Sequence, residues 1–167
     1  MSATQEVPPP FATGLPGPAP VLREDRLDYA PHPSNVSFSR RRVARLVTEW
    51  GYPERSGDAA LLVSELATNA LLHGAGPERL FRVRLILVPG ALRIEVSDAG
   101  VERPRERGER VGAGDETGRG LLIVSQVADR WGAESRVVGK TVFAELDLTR
   151  TECGNADGPA RGARAHR

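Results

Sequence analysis

The sequence predicts an α+β domain: a two-layer α/β sandwich with a mixed, mainly antiparallel sheet and helices on one face. Three observations predict it. Val43, Leu46, Val47 and Trp50, and then Leu61, Leu62, Leu66, Asn69 and Leu72, recur at the spacing of a buried helix face. Apolar residues alternate with polar ones on both sides of Pro89-Gly90, the pattern of a hairpin with one face on a core. A third apolar run begins at Leu121 and is followed by two short alternating stretches. The order is ααββ-loop-αββ, so the helices gather on one layer and the strands on the other.

Each element has its own local warrant. Ser34 or Asn35 caps the first helix, which stops at Gly51 because Pro53 cannot continue it. Ser56 or Asp58 starts the second, which ends at His73-Gly74. Phe81-Arg82-Val83-Arg84-Leu85 and Leu92-Arg93-Ile94-Glu95-Val96 are the hairpin strands. Residues 99–118 form a loop of about twenty residues, a length that usually carries function in a compact domain. Leu121-Leu122-Ile123-Val124 with Val127, Ala128 and Trp131 reads as the third helix. The last two strands cover about 134–138 and 141–148.

The ends differ in composition. Residues 1–33 hold eight of the thirteen prolines, which fix φ and remove donors, so this stretch predicts a disordered arm. Residues 149–167 are rich in Gly, Ala and Arg, have little to bury and predict a disordered tail. The folded domain is then 34–148. Charge is balanced, 23 Lys+Arg against 22 Asp+Glu, and the only run of adjacent arginines is Arg40-Arg41-Arg42. Direct nucleic-acid binding is therefore not expected. A single cysteine rules out an intrachain disulfide. No apolar stretch approaches the roughly 20 residues that span a bilayer. With no secretory leader recognisable, a soluble cytoplasmic protein without membrane contact is expected.

Several residues are of types that carry chemistry. Glu65, Asn69 and His73 are spaced i, i+4, i+8 and share one helical face. Asn offers an oxygen to a hard cation, and Glu can do the same or take a proton. A solvated helix face would show the same spacing. Asp98 ends a strand in Asp98-Ala99-Gly100, where it either meets a ligand donor or stabilises its own turn. Gly118-Arg119-Gly120 precedes a helix, where free N–H groups hold anions and glycine permits close approach. No Walker loop is present, and Gly139-Lys140-Thr141 matches only the end of one. Elements of the common protein-kinase fold and a Cys/His zinc cluster are also missing.

Taken in order, these segments resemble the anti-sigma-factor serine/threonine-kinase-like branch of the histidine-kinase/Hsp90-like ATPases, in particular its small actinobacterial members. The resemblance covers about Arg40 to Leu148 and rests on four separated motifs. Glu65-Leu66-Ala67-Thr68-Asn69-Ala70-Leu71-Leu72-His73-Gly74 is similar to the first motif. It implies that Asn69 binds Mg²⁺ on the phosphates, that Glu65 is the general base, and that His73 lies near the phosphates or the lid. Asp98-Ala99-Gly100 resembles the adenine motif, with Asp98 accepting from the exocyclic amine. Residues 101–117 would be the ATP lid. Gly118-Arg119-Gly120-Leu121 resembles the phosphate motif, and Thr141 falls in the last motif, near the adenine.

The resemblance implies the Bergerat ATP-binding fold, with ATP and Mg²⁺ bound. It implies a protein serine/threonine kinase acting on an anti-anti-sigma (STAS-type) partner, sequestration of a sigma factor, and a homodimer. Two departures bear on this. Glu102 stands where the adenine motif has its second glycine, and the lid is dense in charge. A non-catalytic, ATP-gated protein-binding module in a transcription-regulatory circuit is the alternative they leave open. No segment resembles the family's histidine-phosphorylating dimerisation helix, so a two-component sensor kinase is not expected.

Overall fold

The computed structural model of the protein describes residues 19–149, apart from 75, 77 and 101–115. Five strands form one sheet in the order β1-β2-β3-β5-β4, with every neighbouring pair antiparallel. They are β1 (Arg23–Tyr29), β2 (Phe81–Val88), β3 (Ala91–Asp98), β4 (Arg130–Ser135) and β5 (Lys140–Asp147). The helices are α1 (Pro33–Glu49), α2 (Ser56–His73) and α3 (Glu116–Val127), with a 3₁₀ turn at Pro53–Arg55 ahead of α2. The expected mixed sheet is thus wholly antiparallel among the described residues, with the helical layer as expected.

Strand parity divides the sheet into two faces. Phe81, Val83, Leu85, Leu92, Ile94, Val96, Val142, Ala144 and Leu146 point to the helices, and each is at most 5% exposed. The other face is charged and closely paired. Arg93 meets Glu95, Glu145 and Glu134 at 2.7–2.8 Å and lies 3.8 Å over the Phe143 ring. α2 is the central helix, packed against α1, α3, β2, β3 and β5. Its buried stripe is accordingly wider than one amphipathic face: Ala59, Leu62, Val63, Leu66, Ala67 and Ala70 are all enclosed. Leu72, counted in that stripe on spacing, is instead 57% exposed.

Four expectations need correction. The prolines of 1–33 predict an irregular arm, but none falls between Val21 and Ala30, and Arg23–Tyr29 pairs along β2. Tyr29 stacks on Phe81 with ring centroids 5.4 Å apart. Asp25 accepts from Arg42 Nε and Nη2 of α1 at 3.0 and 2.6 Å, a two-pronged pair that ties the strand to the helical layer. The first helix starts one residue earlier than Ser34, with His32 as its cap: Nδ1 accepts from the Ser34 N–H at 3.2 Å, and Pro33 takes the first turn, where its missing N–H costs nothing. α3 ends at Val127, so Trp131 belongs to β4. There the Asp129 N–H donates to Glu145 O and Asp129 Oδ2 accepts from the Asp147 N–H, which commits the chain to the sheet. At its other end α3 begins at Glu116, so Gly118-Arg119-Gly120 lies within the helix and does not precede it. Residues 1–18, most of the expected lid and the tail from 150 lie outside the described residues.

Candidate functional site

α2 sets the site by its spacing. One turn separates Glu65 from Asn69 and another separates Asn69 from His73. Asn69 is 8% exposed, and its Nδ2 meets no hydrogen-bond acceptor among the described residues. Leaving such a group unsatisfied costs about 1–3 kcal/mol. An apolar side chain would carry no such cost, so the amide is a candidate ligand contact. Amide rotation exchanges its oxygen and nitrogen in place, so this position can offer an acceptor or a donor.

The strand ends close the site from the other side. Asp98 is the last residue of β3 and is 7% exposed. Its Oδ1 accepts the Gly100 N–H at 2.7 Å and lies 3.4 Å from Lys140 Nζ. Burial pushes the Asp98 carboxyl above the usual aspartate range, and the Gly100 N–H, Lys140 and His73 only partly oppose this. Three glycines allow the approach. A Cβ on Gly100 would overlap the His73 carbonyl oxygen, and one on Gly139, where φ is +76°, would overlap the backbone of Asp98. On α3, a Cβ at Gly120 would sit 2.8 Å from Glu65 Oε2.

Glu65 beside Gly120, and His73 beside Gly100 and Asp98, therefore lie along α2 on either side of Asn69, facing α3 and the paired ends of β3 and β5. Arg119 is exposed on α3, and Leu121 is half-buried there. Gly118 lies in the first turn of α3, where helix N–H groups have no partner within the helix. Thr141 is not part of this cluster. Its hydroxyl bonds Ser97 Oγ at 2.7 Å, and both project from the face opposite Asp98. The residue facing Asp98 is Lys140, its register partner. Sequence reading missed it, although a signal was present. Lys140 is the only lysine of the chain, and alternation from Val142 places it on the buried face.

Gly120 offers a test of this packing. Alanine there should keep or raise the melting temperature, since a helix interior favours Ala over Gly by about 0.8–1.0 kcal/mol. It should also push the flexible Glu65 carboxylate aside. Thermal melting and the carboxyl carbon resonance of Glu65 read the two effects, and an unmoved resonance would mean that α3 shifts instead.

The residues present suit a nucleotide with its metal ion. Asn69 offers a hard oxygen donor, and the first-turn N–H groups of α3 can donate to phosphate oxygens. The model of the histidine kinase-like ATPase domain family matches residues 29–145. No curated protein matches the chain. Among solved structures, the chain is similar to the histidine kinase domain from Erythrobacter litoralis EL346 blue-light activated histidine kinase. The identity is 23% and the TM-score 0.45, over 68% of this chain and 61% of that one. The chain thus spans about three fifths of that domain's length.

Proposed function

The chain belongs to the histidine kinase-like ATPase domain family, and from that premise we propose that it is an anti-sigma-factor-like switch that binds Mg·ATP and phosphorylates a serine or threonine of an anti-anti-sigma (STAS-type) partner. The observation that carries the reading is the arrangement along α2 of Glu65 beside Gly120, with the unsatisfied Asn69 amide between them and Asp98 and Gly100. The order and spacing of the four sequence motifs support the branch.

The residues divide the work. Asp98 accepts from the exocyclic amine of adenine, with Gly100 holding its carboxylate in place. N–H groups in the first turn of α3 donate to phosphate oxygens, and Arg119, exposed nearby, adds a charge-assisted contact. Mg²⁺, held by Asn69, would draw charge from the phosphates. Glu65 takes the proton as the partner's hydroxyl oxygen bonds to the γ-phosphorus. The bond to the β-phosphate oxygen then breaks, and ADP leaves with its electron pair. His73, at the end of α2, lies close enough to influence the charge on Asp98. A sigma factor would occupy the partner surface when the anti-anti-sigma protein is phosphorylated, and a homodimer and a cytoplasmic location accompany this role. Among the described residues, no helix is long and apolar enough to cross a membrane.

Glu102, in place of the second glycine of the adenine motif, favours a second reading: an ATP-gated binding module without turnover. One experiment separates them. The protein is incubated with γ-labelled ATP, Mg²⁺ and candidate anti-anti-sigma domains. Label on a partner serine or threonine supports the kinase. Stoichiometric, ATP-dependent partner binding without label supports the module, and neither result sinks both.

A further inference from the structure

Lys140 is buried beside Asp98, and none of the steps above uses it. Its side chain and that of Asp98 are only 5% and 4% exposed, although lysine has four methylenes with which to reach water. The backbone fixes it there. Lys140 opens β5 opposite Asp98, and Gly139 ahead of it packs so closely on Asp98 that no side chain fits. An ammonium carries three donors. Nζ has Asp98 Oδ1 at 3.4 Å and completes no hydrogen bond among the described residues, while that same oxygen already takes the Gly100 N–H at 2.7 Å. A buried cation with unused donors is costly unless something else receives them.

We propose that Lys140 is a second base-reading residue, donating from Nζ to the ring nitrogen N1 of adenine beside the amine that Asp98 accepts. This rests on the placement of the base at Asp98. The pairing edge of adenine offers a donor next to an acceptor. A carboxylate beside an ammonium is the complementary acceptor and donor, here fixed by strand register. Lys140 then contributes specificity as well as charge balance: a base lacking the acceptor leaves the buried ammonium without a partner.

The test uses the full chain and calorimetric titration with ATP and with 1-deaza-ATP, in which N1 is a C–H. The unaltered protein should bind 1-deaza-ATP about tenfold or more weakly, the loss of one charge-assisted hydrogen bond. Lys140→Met should bind both nucleotides equally and weakly. The comparison of ligands on the unaltered protein stands even if this variant folds poorly. Equal binding of the two nucleotides by the unaltered protein overturns the proposal. So does tighter ATP binding by Lys140→Met, which would make the lysine a competitor for Asp98. GTP bound as tightly as ATP overturns the assignment to adenine, because the same pair fits the O6 and N1–H edge of guanine in a turned base. Asp98→Ala that binds ATP normally removes the placement of the base itself, and so marks failure of the underlying reading.

Discussion

Glu65→Ala leaves ATP binding close to that of the unaltered protein and lowers phosphoryl transfer by a factor of about 10²–10⁴, the usual contribution of a positioned general base. The separation of effects follows from position. Glu65 lies two helical turns from His73 and beside Gly120 of α3, away from the base end marked by Asp98. Its removal deletes the proposed proton acceptor without touching the carboxylate proposed to hold the adenine amine. Glu65→Gln keeps the shape of the side chain and should lose transfer equally. Titration with ATP and single-turnover transfer with labelled ATP measure the two halves. A parallel fall in both would make Glu65 a binding residue and remove its role as base.

Asp98→Ala has a different signature, with nucleotide affinity and fold stability falling together. The lost charge-assisted hydrogen bond is worth about 1.5–3 kcal/mol of binding, roughly a ten- to hundredfold loss for ATP. Stability should drop by about 1–3 kcal/mol, because the substitution removes the oxygen that faces the buried Lys140 ammonium, an acceptor that the carboxyl keeps even when protonated. Adding Lys140→Met to Asp98→Ala should recover the melting temperature and not the affinity. A pair that fails to recover stability would show that Asp98 acts through the Gly100 turn. Acidity separates the same two properties. Burial raises the folded-state pKa of Asp98, so the folded form holds this proton more tightly than the unfolded chain. The stability from this group is full at low pH and is lost as pH rises through the raised value. Affinity runs the other way: a protonated Asp98 has given up charge and an acceptor, so ATP binding falls as pH drops through that window. Titration with ATP at a series of pH values from neutral downward reads it.

Periodic segments were legible in the sequence, and segments held by distant partners were not. α2 and the β2–β3 hairpin stand within a few residues of where the 3.6 and 2.0 periods put them, because their burial is written into consecutive residues. β1 has only Leu27 and Tyr29 as apolar residues. Its charges find partners more than fifty residues away, Glu24 with Arg84 and Asp28 with Arg82, at 2.8 and 2.6 Å. No local window contains that information, and the prolines on either side suggest the opposite. The α3–β4 boundary was hidden for a related reason. Val127, Ala128 and Trp131 continue an apolar run, while the signal that ends the helix is a pair of bonds from Asp129 to β5. In the site, helical spacing brings Glu65 and Asn69 to one face, and motif order associates them with Asp98 and Gly120. Which of Lys140 and Thr141 faces Asp98 depends on strand parity, and motif resemblance does not resolve a single residue.

That parity has a consequence for how such a pocket can change. The place of residue 140 is decided by Val142, Ala144 and Leu146, whose alternation presses one face of β5 into the core. On the far side, the hydroxyls of Ser97 and Thr141 join the same two strands. Neither anchor depends on what residue 140 is. The position is therefore a socket, held open by neighbours that face the core or the opposite face. A single codon change there can exchange the group presented to Asp98 while leaving the framework intact, so ligand discrimination in chains of this architecture can diversify separately from folding.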